Sequence, residues 1–286
     1  MLLAYFNAPG SWSEIFKRTL DEIRDDNCLG LAAQLAFYYL LALFPAVLFL
    51  VALASYLPVD DAFSEFLVAL GAVAPDELVA LLRGQLDQIA RGRHASLLTL
   101  GIAGAIWSSS AAMVAIIDAL NHAYDISEWR PWWKRRCVAI ALTMTLAAFT
   151  LLALAFVLIG PSLASRVAAW FGLAPAVAVI WQLIRWPIIV SSVVLAVDLV
   201  YHFAPNRAAR WAWITPGALA ATALWIASSF GFRLYVTSVG DYSATYGTIG
   251  GVIVTMLWFY VSGLALLIGA ELNAVVEACA QSKQAN

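Results

Sequence analysis

Asp118, Asn121 and His122 stand at i, i+3 and i+4, one face of a helix, and Asp198 and His202 repeat the acid–imidazole spacing at i, i+4. Glu271 and Asn273 lie near the end of the last long apolar stretch, and Gln34 near the start of the first. Carboxyl, imidazole and amide groups so placed could pass a proton, hold a small polar solute, or act as acid and base on a lipid. Arg185 is a different case. It follows Gln182 by about one helical turn, between Trp181 and Trp186, inside an apolar run. A fixed cation there needs a carboxylate, carbonyls or a wet cavity beside it.

These residues are set in a sequence that is 63% hydrophobic and 12% charged, with a mean hydropathy of +0.84. A soluble domain carries about twice that charge, so most of the surface is expected to face lipid. A net charge of −2 gives no basic footprint for nucleic acid. Cys28, Cys137 and Cys279 lie far apart with no CxxC, so neither a disulfide framework nor a metal signature is expected. No P-loop or nucleophile motif accompanies the acid–histidine pairs, and no cofactor is implied.

Six apolar stretches, at about 29–57, 97–120, 137–160, 174–201, 211–236 and 248–272, are each long enough to cross a bilayer as a helix. None alternates as a barrel strand would, so the expected fold is all-α, with a transmembrane domain over 29–273. Residues 1–28 and 274–286 flank it as cytoplasmic segments, and the first apolar run is expected to stay as an uncleaved anchor. With the N-terminus inside, the inner segments hold Lys17, Arg18, Arg24, Arg130, Lys134, Arg135, Arg136, Arg207, Arg210 and Lys283. The outer ones hold only Arg83, Arg91, Arg93 and Arg166, which places both termini in the cytoplasm. This orientation brings Gln34, Asp118, Asn121, His122, Asp198, His202, Glu271 and Asn273 to the inner ends of four spans, and Arg185 near the midplane.

The connections also carry signals. Phe63, Phe66, Leu67 and Leu70 recur at helical spacing, and Leu78, Leu81, Leu82, Leu86 and Ile89 follow a Pro75-Asp76-Glu77 helix start. They imply two outer amphipathic helices within 62–91, as a lid or a partner surface. On the inner side, Arg130, Trp132, Trp133, Lys134, Arg135 and Arg136 combine indole rings with cations, the composition of an anchor on anionic lipid. Within the spans, Ser108, Ser109, Ser110, Ser191, Ser192, Ser228 and Ser229 favour close helix packing or a polar path. Gly240 to Gly251 reads as a small-residue turn into the sixth span. Pro45 must free the carbonyl of Leu41, one turn earlier.

Several blocks in order, AAQLAFYYLLALFPAVLFL from Ala32, YHFAPN from Tyr201, ITPGALAATALWIASSFGFRLYV and SATYGTIGGVIVTMLWFYVSGLALLIGAELN, resemble the YihY/BrkB family of bacterial inner-membrane proteins. The resemblance covers about 30–275. It implies a six-helix inner-membrane protein with transport suspected; members have also carried names tied to virulence, serum resistance and ribonuclease BN. A nuclease would need clustered ligands, whereas His94, His122 and His202 lie in separate segments. Three classes of function follow: a transporter or flippase for a small solute or lipid, a non-catalytic envelope scaffold, and, last, a lipid-modifying enzyme. The bilayer is the expected partner, a homo-oligomer is compatible with the sequence, and no protein partner is specified by it.

Overall fold

The computed structural model describes residues 11–54, 95–150, 174–207, 213–238 and 242–284, with six further residues between 71 and 84. Among these the secondary structure is helical, with no strand. Ser11 caps α1 (Trp12–Asp25), its hydroxyl accepting from Ser13 N, with Glu14 in the first turn and Arg24 in the last. Asn27, in the left-handed region at φ 49°, ends α1 and leads into α2 (Cys28–Ala54). The two helices meet at 64°. At this corner a Cβ on Gly30 would come within 2.4 Å of the Asn27 side-chain amide, which would have to swing aside.

After α2 come α3 (Ala95–Ala123), α4 (132–150), α5 (Ala174–Phe203), α6 (Pro216–Ser238) and α7 (Tyr242–Gln284). Helix α7 passes through residue 274 without a break. Trp186–Phe203 in α5, Pro216–Val236 in α6 and Gly250–Ser282 in α7 are long and apolar enough to cross a membrane, and the bent α1–α2 pair can supply a fourth crossing. The molecule is therefore a multi-pass, all-α membrane protein.

The core gathers at one end of the bundle. Cys28, Ala32 and Leu35 of α2 pack with Met113 to Leu120 of α3, Val200 and Tyr201 of α5, Ala218 and Ala221 of α6, and Leu267 and Ala270 of α7. Its small residues let backbones approach, which is how helices associate where lipid removes the hydrophobic drive. Gly217 and Gly269 are the closest case, since a Cβ on Gly217 would meet Gly269 O at 2.0 Å. Higher up, Trp225 Nε1 of α6 donates to Ser262 Oγ of α7 at 3.1 Å, and Trp258 Nε1 of α7 donates to Ser229 Oγ of α6 at 3.2 Å. Ser108 Oγ of α3 donates to Leu41 O at 3.4 Å, the carbonyl that Pro45 leaves open. Most of segment 62–91, where two amphipathic helices are expected, lies outside the described residues; those described show Val79 buried and Gly71 O accepting from Arg233 Nη1 at 3.2 Å.

Candidate functional site

The polar residues expected at the inner ends separate into three clusters. The first is built around the start of α6. Thr215 is its N-cap, with Oγ1 accepting from Ala218 N at 3.2 Å and Pro216 in the first helical position. Asn273 Oδ1 accepts from Gly217 N at 2.7 Å, and its Nδ2 donates to Thr215 Oγ1 at 2.9 Å. Asp198 accepts from both the hydroxyl and the backbone N–H of Thr215. These contacts satisfy free amides at the helix start or hold the capping hydroxyl in place. Asp198 is thus turned to Thr215, while His202 stands edge-on to Phe203 with ring centroids 4.6 Å apart.

The second cluster closes the loop after α3. Asp125 takes φ 53°, and the Ile126 N–H reaches back to Asn121 O at 2.8 Å, a Schellman-type stop. The chain then folds back so that Asn121 Nδ2 donates to Glu128 Oε2 at 2.8 Å. Arg130 grips Glu128 through Nε at 2.8 Å and Nη2 at 2.7 Å, and also donates to Ala204 O at 2.8 Å. Asn206 completes the clasp, its N–H donating to Asn121 Oδ1 at 2.7 Å and its side-chain carbonyl, suitably oriented, accepting from Trp129 Nε1 at 2.7 Å. Burial would raise the Glu128 pKa, but hydrogen bonds from Arg130 and Asn121 outweigh it and hold the carboxyl below its ordinary 4.5.

The third cluster borders a cavity. Glu271, 1% exposed, accepts from Cys28 Sγ at 3.3 Å, and Asp26 lies within hydrogen-bonding reach of it. Exposed His122 approaches Asp26 Oδ1 at 3.9 Å. Burial raises the Asp26 pKa above 3.8, with His122 pulling the other way. These groups do not converge as metal ligands would. A cavity of about 290 Å³ opens against Glu271, lined also by Arg18 and Glu22 of α1, Tyr124 and Asp125, Arg207, and Glu277 of α7. Arg207 forms a two-pronged ion pair with Glu277, one prong at 3.1 Å, and its guanidinium lies 3.9 Å over the Tyr124 ring.

The remaining expected residues fall elsewhere. Gln34 is exposed, on the flank of α2 away from buried Ala32, Leu35 and Ala36. Asp118 pairs with Arg135 at 2.7 Å rather than with Arg207, and Arg210 lies outside the described residues. Gln182 and Arg185 are on α5, and their side chains lie outside what is described. In the basic stretch that leads into α4, Arg130, Arg135 and Arg136 are engaged within the protein, Arg136 over Trp107 at 4.0 Å. Trp132 and Trp133 are exposed, with Lys134 Nζ 5.4 Å over the Trp133 ring. Sequence reasoning missed Thr215, Asn206, Glu128 and Asp26. The Thr-Pro-Gly at 215–217 was a legible helix-start signal; for Asp26 no local signal exists, because its partner is Glu271 on the last helix.

The fold and these clusters define a multi-pass helical membrane protein with a polar, cavity-bearing end. A family model described as virulence factor BrkB matches residues 19–286, and the chain belongs to that family. It is 36% identical over 245 residues to the ribonuclease-like protein YfkH of Bacillus subtilis, covering 86% of this chain and 88% of that one. UPF0761 membrane proteins of Alkalilimnicola ehrlichii and Halorhodospira halophila are 30% and 26% identical, over 88% and 89% of this chain. The chain spans only 55% of the length of each of these two. No solved structure matches the chain.

Proposed function

We propose that this protein is a transporter or flippase-like protein of the bacterial inner membrane, moving a small solute or a lipid. The observation that carries the reading is the cavity against Glu271: a buried carboxyl in an apolar helix, reached from an opening that also presents Arg18 and Arg207. Ionisable groups so placed mark solute and proton paths in membrane bundles. Arg185, Gln182, Gln34, Asp118, His122 and His202 are the further path candidates, in a six-span arrangement with the outer helices of 62–91 and both termini in the cytoplasm. Ten basic residues on the inner segments against four on the outer support that topology. Trp132, Trp133 and Lys134 support contact with anionic lipid. A net charge of −2 and three histidines in separate segments give the ribonuclease-like name of YfkH no support here.

The test compares lipid and metabolite profiles of deletion cells complemented with wild type, Glu271→Gln or Arg185→Ala. Glu271→Gln is expected to reproduce the deletion profile at wild-type protein level; wild-type profiles from both variants would overturn the reading. One observation favours a second reading, an envelope scaffold. Asp198, Asn273 and Asn121 spend their hydrogen bonds on structure. Loss of function on removing 62–91, with Glu271→Gln silent, would select it.

A further inference from the structure

The structure assigns α1 a second surface: its outer flank, Trp12, Phe16 and Leu20, is a seat on the bilayer surface at the end of the bundle where α1 joins α2. These three side chains stand at i, i+4 and i+8, one continuous stripe, and are 51%, 63% and 38% exposed. The helix has a separate contact with the protein, through buried Ile15 against Val275 and Val276 of α7. The stripe is therefore surplus to folding, and something apolar must meet it.

Three features point to lipid as the occupant. The break between α1 and α2 is two residues long, and α2 from Cys28 to Leu43 is the apolar arm of a candidate span. A 64° bend away from a span that runs near the membrane normal turns α1 toward the membrane plane. An exposed apolar side chain across the corner is the second feature. Leu29, in the first turn of α2, is 56% exposed, so both arms of the corner present apolar side chains outside the core. Charge is the third. At 100° per residue, Lys17 and Arg24 fall along the edge of the apolar stripe, while Glu14, Asp21 and Asp25 fall beyond them on the far face. Long cationic side chains at that edge reach lipid phosphates while their stems lie on the acyl boundary, and the acids stay in water. Arg18 and Glu22, on the remaining side, line the cavity beside Glu271. Helix α1 is then held between lipid on one flank and the polar cavity on the other.

The experiment uses the full chain, with an environment-sensitive fluorescent amino acid placed in turn at positions 14, 16, 20 and 21. Each variant is reconstituted into vesicles of phosphatidylethanolamine and phosphatidylglycerol, with and without bromine on the acyl chains. All four positions are outside the packed face, so labelling leaves Ile15 and Thr19 in place; helix content by circular dichroism checks folding. Bromolipid is expected to quench positions 16 and 20 several-fold more than 14 and 21. Equal quenching at all four positions overturns the assignment. So does blue-shifted emission at 16 that escapes bromolipid and fades as protein is diluted into lipid, because the stripe would then be covered by a second copy of the chain.

Discussion

Pro45 removes one donor from α2, and Ser108 of α3 covers the carbonyl of Leu41 that is left behind. In hydrocarbon an open carbonyl has no water to turn to, so the hydroxyl closes a specific gap. Ser108→Ala is expected to cost about 0.6–1 kcal/mol, and much less in a Pro45→Ala background where the helix closes its own bond. A double-mutant cycle on unfolding in detergent micelles measures this; additive costs would break the link. Glu128 gives a pH prediction. Its folded pKa lies below 4.5, so its stabilisation is full above that value and lost as pH falls through the lowered one. Melting temperatures of the solubilised protein at roughly pH 3 to 6 should fall on acidification, with a shallower fall for Glu128→Gln. Asp26 acts with the opposite sign. Burial raises its pKa above 3.8, so its charge costs stability as pH rises, and Asp26→Asn should relieve that cost near neutrality.

At the scale of elements, the start of α6 is where three side chains from three segments, Asp198, Thr215 and Asn273, meet one helix terminus. Thr215→Ala should cost about 0.5–2 kcal/mol for the cap, with more for stranding Asp198 and Asn273. Thr215→Ser keeps the hydroxyl and should retain most of the stability, read in the same unfolding assay. The sequence made the helices legible because apolar length dominates every other signal in this composition. It also placed Asp198 and Asn273 near the ends of apolar stretches, as it did other polar groups. What it could not show was their direction: a carboxylate turned to a cap and one turned to a cavity have the same spacing. Asp198 and Glu271 differ in that respect alone. Helix α1 was hidden for another reason. Its stripe of Trp12, Phe16 and Leu20 is interleaved with charges, so 11–27 reads as polar until the 3.6-residue period is applied.

For the whole molecule, α7 is the organising rod. Its 43 residues extend about 65 Å at 1.5 Å each, roughly twice a hydrocarbon core, so its C-terminal part, at Val275 and Val276, serves as the post on which α1 leans. Helix α6 is fastened to that rod at three heights, by Gly217 on Gly269, by Trp225 with Ser262, and by Trp258 with Ser229. One backbone-to-backbone contact and two Trp–Ser hydrogen bonds along the pair resist sliding and pivoting. A working cycle that opened and closed the polar end would have to carry α6 and α7 as one jaw and move α2 with α3 as the other, flexing at the left-handed corner of Asn27. Spin labels at exposed Leu224 and Leu257 should then keep one sharp separation in every state, while a pair at exposed Leu29 and Leu224 should broaden or split. The reverse pattern would mean that the jaw itself comes apart.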